Sequence, residues 1–190
     1  REHLGSFDLV IFQNFDYGPY RMAIYLPRIR DYVERGGAFL MIGGEKSFSA
    51  GGYAGTAVEN ILPTSLPPPP GIDARPFSPV PLMPRHPLVA LGESPEQVRR
   101  RFQELAPLAG ANELGALRPG ARALLGHPQL RVGGEPAPIL AAHDVGEGRV
   151  VAFASDSSFR WGITTAGERG DLSVFERFWD LTLRYMVRDK

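Results

Sequence analysis

The residue types that can do chemistry gather in two short stretches. One is the glycine-flanked turn Gly43-Gly44-Glu45-Lys46-Ser47, continued by Phe48 and Ser49. The other is Ser155-Asp156-Ser157-Ser158-Phe159-Arg160-Trp161. Glu45, Lys46 and Ser47 supply a carboxylate, an ammonium and a hydroxyl. Asp156 adds a second carboxylate, Arg160 a guanidinium able to grip an anion through two parallel bonds, and Trp161 a ring on which a flat ligand can stack. Together with Gly43 and Gly44 these are the expected ligand-binding residues. Each has a plainer role. Glu45 and Lys46 can form a solvated pair, Ser47 and Ser49 can tie their own turn, Asp156 can cap a turn, and Trp161 can anchor its loop.

Catalysis needs more. Among His3, His86, His127 and His143, the last ends a strand beside Asp144 and is the best general-base candidate. The weak catalytic candidates are therefore Glu45, Ser47, His143 and Asp156. A hydrolase built from Asp156, His143 and Ser47 is one expectation, and a plain hairpin histidine is its rival. No GxSxG elbow surrounds either serine of the turn.

Composition removes other chemistries. The 190 residues contain no cysteine, so disulfides, thiolate zinc sites and a cysteine nucleophile are excluded. No two histidines stand at metal-ligand spacing, and no metal is expected. GGEKSFSAGGY fits neither the GxxxxGK[ST] nor the GxGxxG phosphate pattern, and no cofactor is implied. Lys and Arg total 21 against 21 Asp and Glu, which gives no general attraction to nucleic acid. No stretch approaches the roughly 20 apolar residues of a membrane span. The chain opens on Arg1, without an initiator Met or signal peptide, and reaches a strand-like run by Phe7. It reads as a fragment of a longer chain.

The elements that must position the two stretches follow from patterning. Ala38 to Ile42, five apolar residues without alternation, predicts a strand buried on both faces, as in a parallel sheet. Phe7 to Phe12 predicts another strand. Between them, Tyr25, Leu26, Ile29, Tyr32 and Val33 lie on one face of a helix from about Ala23 to Glu34, stopped by Gly36 or Gly37. Strand, helix, strand is a βαβ unit. Its glycine turn then lies where open α/β sheets place their sites.

Thr56 and Glu59 suggest a capping box. The proline-rich passage 63–87 predicts a surface connection with at most an edge strand, Phe77 to Leu82. Ser94-Pro95-Glu96-Gln97 predicts a helix start. Strands are expected over Ala121 to Leu125, Ile139 to His143 and Arg149 to Ala154, the last two joined as a hairpin. A closing helix is expected from Ser173 to Arg188. A single domain over 1–190 is expected.

The ordered set LMIGGEKSFSAGGY, ILPTSLP, HPLVAL, LAPLAGANELGALRPGARALL and GRVVAFASDSSFRW resembles the glutamine amidotransferase-like domain of bacterial envelope proteins. Those proteins often carry a von Willebrand factor A module. The resemblance implies a flavodoxin-like three-layer α/β sandwich with a mixed, mostly parallel sheet. It also implies that the family's first strand and helix, which normally precede Phe7, are absent. Class I amidotransferases use a thiolate on a strand-to-helix turn, with a histidine and a carboxylate behind it. Glu45 stands about where that cysteine would be. The resemblance therefore points to a catalytically inactive domain. It would serve as a ligand- or protein-binding module of a membrane-anchored bacterial protein. Its partners would be other domains of that protein or an envelope protein. A purely structural spacer is the remaining alternative.

Overall fold

The computed structural model describes residues 4–19, 21–163 and 172–188. Its main sheet has six strands: β1 (Leu9–Gln13), β2 (Ala38–Ile42), β4 (Val80–Pro81), β6 (Arg122–Val132), β7 (Glu135–Val145) and β8 (Gly148–Phe153). Their spatial order is β1-β2-β8-β7-β6-β4. A two-stranded ribbon pairs β3 (Ile72–Asp73) with β5 (Ala111–Asn112). Among the described residues the longer helices are α1 (Leu26–Glu34), α2 (Pro95–Glu104) and α3 (Ser173–Val187), and residues 159–163 are also helical.

The fold is the expected α/β class with a mixed sheet. The balance of pairings differs from the expectation of a mostly parallel one. β2 pairs parallel with β1 and β8, whereas β8–β7, β7–β6 and β6–β4 are antiparallel. The reason is a pair of tight hairpin turns, Val132 to Glu135 and Val145 to Gly148, each of which returns the chain directly and so makes its two strands antiparallel.

All five residues of β2 are buried, as an uninterrupted apolar run requires. α1 forms because Leu26, Ile29, Tyr32 and Val33 share one buried face and Pro27 falls in the first turn, where its missing N–H costs nothing. Phe39 and Met41 lie on the face shared with Val10 and Phe12. Leu40 and Ile42 share the other face with Val151 and Phe153. There Phe153 meets Phe178 and Trp179 of α3, and Trp161, with ring centroids 5.5 to 6.2 Å away. β1 lies at one margin of the sheet.

The proline-rich passage contributes more than a surface connection. β4 is the edge strand expected within Phe77 to Leu82, only shorter, and Phe77, Leu88 and Val89 beside it are buried. Glu59 does not close a capping box with Thr56. Its carboxylate instead accepts the amides of Gly55 and Leu66, while Thr56 Oγ1 donates to Tyr53 O.

Candidate functional site

The glycine turn leaves the sheet where β2 and β8 end side by side. Ile42 pairs with Phe153, and the next amide, Gly43 N, donates to Phe153 O at 2.8 Å. A β-carbon on Gly43 would stand 2.5 Å from Ala154 O, so only glycine lets the two strand ends come this close. Gly44 has φ +133°, and a β-carbon there would meet Asn14 Oδ1 at 2.7 Å.

Two asparagines hold the turn. Asn14 accepts from Lys46 N at 2.6 Å, and its own amide donates to Ser47 Oγ at 3.2 Å. Asn112 is buried beneath the turn. Its Oδ1 accepts from Gly44 N at 2.8 Å, and its Nδ2 donates to Gly44 O at 3.0 Å and Ser47 O at 3.4 Å. Ser47 N donates to Gly44 O at 3.1 Å. The amides of Gly44, Lys46 and Ser47, which would be the nearest donors for an oxyanion, are therefore all engaged. The chain then makes successive turns from 43 to 58 with no helix, so no helix N-terminus faces Glu45.

The candidate side chains divide clearly. Ser47 and Ser49 are buried, and their hydroxyls donate to Ile42 O at 2.7 Å and Pro67 O at 2.5 Å. They tie the turn. Glu45 and Lys46 are exposed, and Lys46 Nζ lies 3.4 Å from Asp16 Oδ2. Nearby, Tyr53 donates its phenol to Phe15 O at 2.8 Å. Burial first, then Tyr17 and Asp16, pushes its pKa upward, which keeps it a neutral donor.

Asp156 is exposed, three residues beyond Phe153 at the same carboxyl edge of the sheet. The serines around it are buried. Ser155 Oγ donates to Gly110 O, and Ser157 Oγ accepts from Ala109 N. Arg160 is half-buried, and its Nε has no hydrogen-bond partner among the described residues. Trp161 corrects the stacking-platform expectation. It is fully buried, with its indole donating to Ala106 O at 3.0 Å, because the aromatic cluster around Phe153 and Phe178 encloses its ring.

His143 also corrects an expectation. It pairs with Val150, whose neighbour on β2 is Phe39, near the amino end of the parallel strands. Ser47 and Asp156 lie beyond Ile42 and Phe153, at the opposite end. The register thus removes the proposed Asp156, His143 and Ser47 hydrolase constellation. Among the described residues no cluster of three or more His, Asp or Glu is arranged to hold a metal.

Asn14 and Asn112 are the site residues that sequence reasoning missed. Asn14 carried one signal: it directly follows an apolar strand, and asparagine tolerates the left-handed conformation it adopts here, φ 49°. Asn112 carried less, because it lies in a Gly- and Ala-rich stretch read as loop. Its partner Gly44 is far away in sequence.

A family model described as "Putative glutamine amidotransferase" (GATase1_like) matches residues 7–188. Among solved structures, a cytoplasmic protein from Salmonella typhimurium superposes with TM-score 0.74 at 22% identity, over 96% of this chain and 73% of that chain. A second cytoplasmic protein, from Salmonella typhimurium LT2, gives TM-score 0.70 at 22% identity with the same coverage. The β-galactosidase of Rahnella sp. R3 matches at 20% identity and TM-score 0.52, over 97% of this chain but 23% of that chain. These likenesses establish the fold alone. No curated protein matches. The expectation of a membrane-anchored envelope protein is overturned. The two Salmonella proteins are described as cytoplasmic, and no helix among the described residues is long and apolar enough to cross a membrane.

Proposed function

The chain belongs to the glutamine amidotransferase-like family, and from that premise we propose that it is a member without glutaminase chemistry, acting as a binding module. One observation carries the reading: the turn that would present a nucleophile holds Glu45 in place of a thiol, with the amides around it already bonded to Asn14 and Asn112. A carboxylate at that spot is a poor nucleophile toward a carboxamide, and developing negative charge would find no free donor pair. What the turn offers instead is the solvent-facing pair Glu45 and Lys46, with the exposed Asp156 at the same edge of the sheet, which suits recognition.

Ammonia release from glutamine tests this. The unmodified chain, Glu45→Gln and Glu45→Cys are all expected to stay at the buffer rate. The cysteine variant fails because a thiol alone does not supply the missing donors. Turnover by the unmodified chain that disappears in Glu45→Gln would overturn the proposal.

A further inference from the structure

Beside the glycine turn lies a cavity of about 310 Å³. Three of its lining residues touch the turn or the strand end beneath it. Asn112 bonds Gly44 and Ser47, Pro67 O accepts from Ser49 Oγ, and Ile139 O accepts from Ala154 N. The remaining wall is mainly apolar, including Leu114, Leu130, Val132 and Ala137.

The cavity exists because β6 and β7 part company. Gly126 pairs with Pro138 and Arg131 with Pro136, so residues 127–130 face Ala137 alone. Pro136 and Pro138 have no N–H to offer a partner strand, which permits the separation. His127 shapes the bulge. Its Nδ1 accepts from Gln129 N at 3.1 Å and Leu130 N at 2.9 Å, fixing the neutral tautomer with hydrogen on Nε2. The bulge brings Leu130 and Arg131 to the cavity, whose opposite wall comes from the segment Ala111 to Gly115. Bulges of this kind re-aim side chains next to sites.

Charge decides what fits. Arg131 lines the mouth, and its Nη1 donates to the carbonyls of His127, Pro128 and Leu130, which holds the guanidinium in place. No carboxylate lies within ion-pair distance of Arg131 among the described residues, and its Nε and Nη2 remain for a ligand. The other charged lining residue, Glu113, is exposed, so water screens its repulsion of an anion. The volume equals that of about ten liquid waters, enough for a body of about ten non-hydrogen atoms.

We propose that this cavity binds a compact apolar monocarboxylate, its body between Leu114, Leu130 and Ile139 and its carboxylate on Arg131. This rests on the binding-module reading and names the ligand class for it. The test titrates the full chain with phenylacetate, 2-phenylacetamide and phenethylamine, following backbone amide shifts. Saturable phenylacetate binding is expected, with shifts at Asn112, Leu114 and Leu130 and clearly weaker binding of the amide and amine. Arg131→Gln should weaken phenylacetate about tenfold or more, with only a small loss of thermal midpoint from the three carbonyl bonds it gives up. Ala137→Phe should abolish binding by filling the space.

Equal affinity for the three probes, tighter binding of the amine, or no saturable binding overturns the assignment. So does phenylacetate binding that survives Arg131→Gln but is lost in Lys46→Gln. That last result places the anion at the turn and leaves the binding-module reading standing. Glutaminase turnover removes the module reading independently of any phenylacetate result.

Discussion

Asn112 joins two segments distant in sequence through one carboxamide, and its loss leaves the amide of Gly44 without an acceptor in a closely packed place. Asn112→Ala should therefore cost about 2 kcal/mol or more, read as a lower urea midpoint with an unchanged slope. Gly43→Ala should cost about 1–3 kcal/mol, because the new methyl meets the Ala154 carbonyl rather than a yielding side chain. At this scale the sequence was informative about backbone and poor about partners. The glycine pair after an apolar run marked the turn, since both glycines answer local constraints. Nothing local marks Asn112, whose role depends on a residue far along the chain. Trp161 misled for a related reason: an aromatic beside polar residues is equally compatible with a ligand platform and with a core, and only the positions of Phe153 and Phe178 decide between them.

The β6–β7 arm is the element that patterning described least well. Its strands were expected over Ala121 to Leu125 and Ile139 to His143, yet each runs for 11 residues. Prolines at 128, 136 and 138 are accommodated in these strands because they lie in or beside the bulge, where ladder hydrogen bonds are missing. The buried strand β2 and the start of α2 were legible, since each depends on its own residues. Ser94 caps α2 by accepting from Gln97 N, and Ser94→Ala should cost about 1 kcal/mol.

The bulge also carries a pH dependence. Burial lowers the pKa of His127 below its ordinary 6.5. Asp73 opposes that effect, and Arg75 and Arg131 reinforce it. The folded state thus binds fewer protons than the unfolded chain. Stability is complete above about pH 6.5 and falls as pH drops through that value toward the depressed folded pKa. His86 shifts in the same direction, by burial and the nearby Arg122 and Arg149. Urea midpoints measured from pH 7.5 down to 5 should fall. They should fall less steeply in His127→Asn, which keeps an acceptor for the two amides and does not titrate.

Among the described residues nearly all the buried apolar side chains belong to one continuous cluster. Phe178 sits in it against Phe153, Trp161 and Trp179. Phe178→Ala should cost about 3–5 kcal/mol, read as a lower urea midpoint followed by tryptophan emission. Equal numbers of acidic and basic residues and a pI near 7.1 predict a solubility minimum close to neutral pH, checked by turbidity across pH 5 to 9. The α/β class was readable because a βαβ start and a buried strand are local statements. The strand order was not, because it depends on which late strand enters beside β2.

That late entry has a consequence for how the chain matures. Ala38 pairs with Arg149, so the middle of the sheet closes only after β8 has left the ribosome, long after β2. Until then one flank of β2 is bare, and the nascent protein presents a greasy ribbon with free amides and carbonyls. Folding should be slow for its size, and a chaperone that shields the ribbon during synthesis should raise the yield of native protein more than one added afterwards.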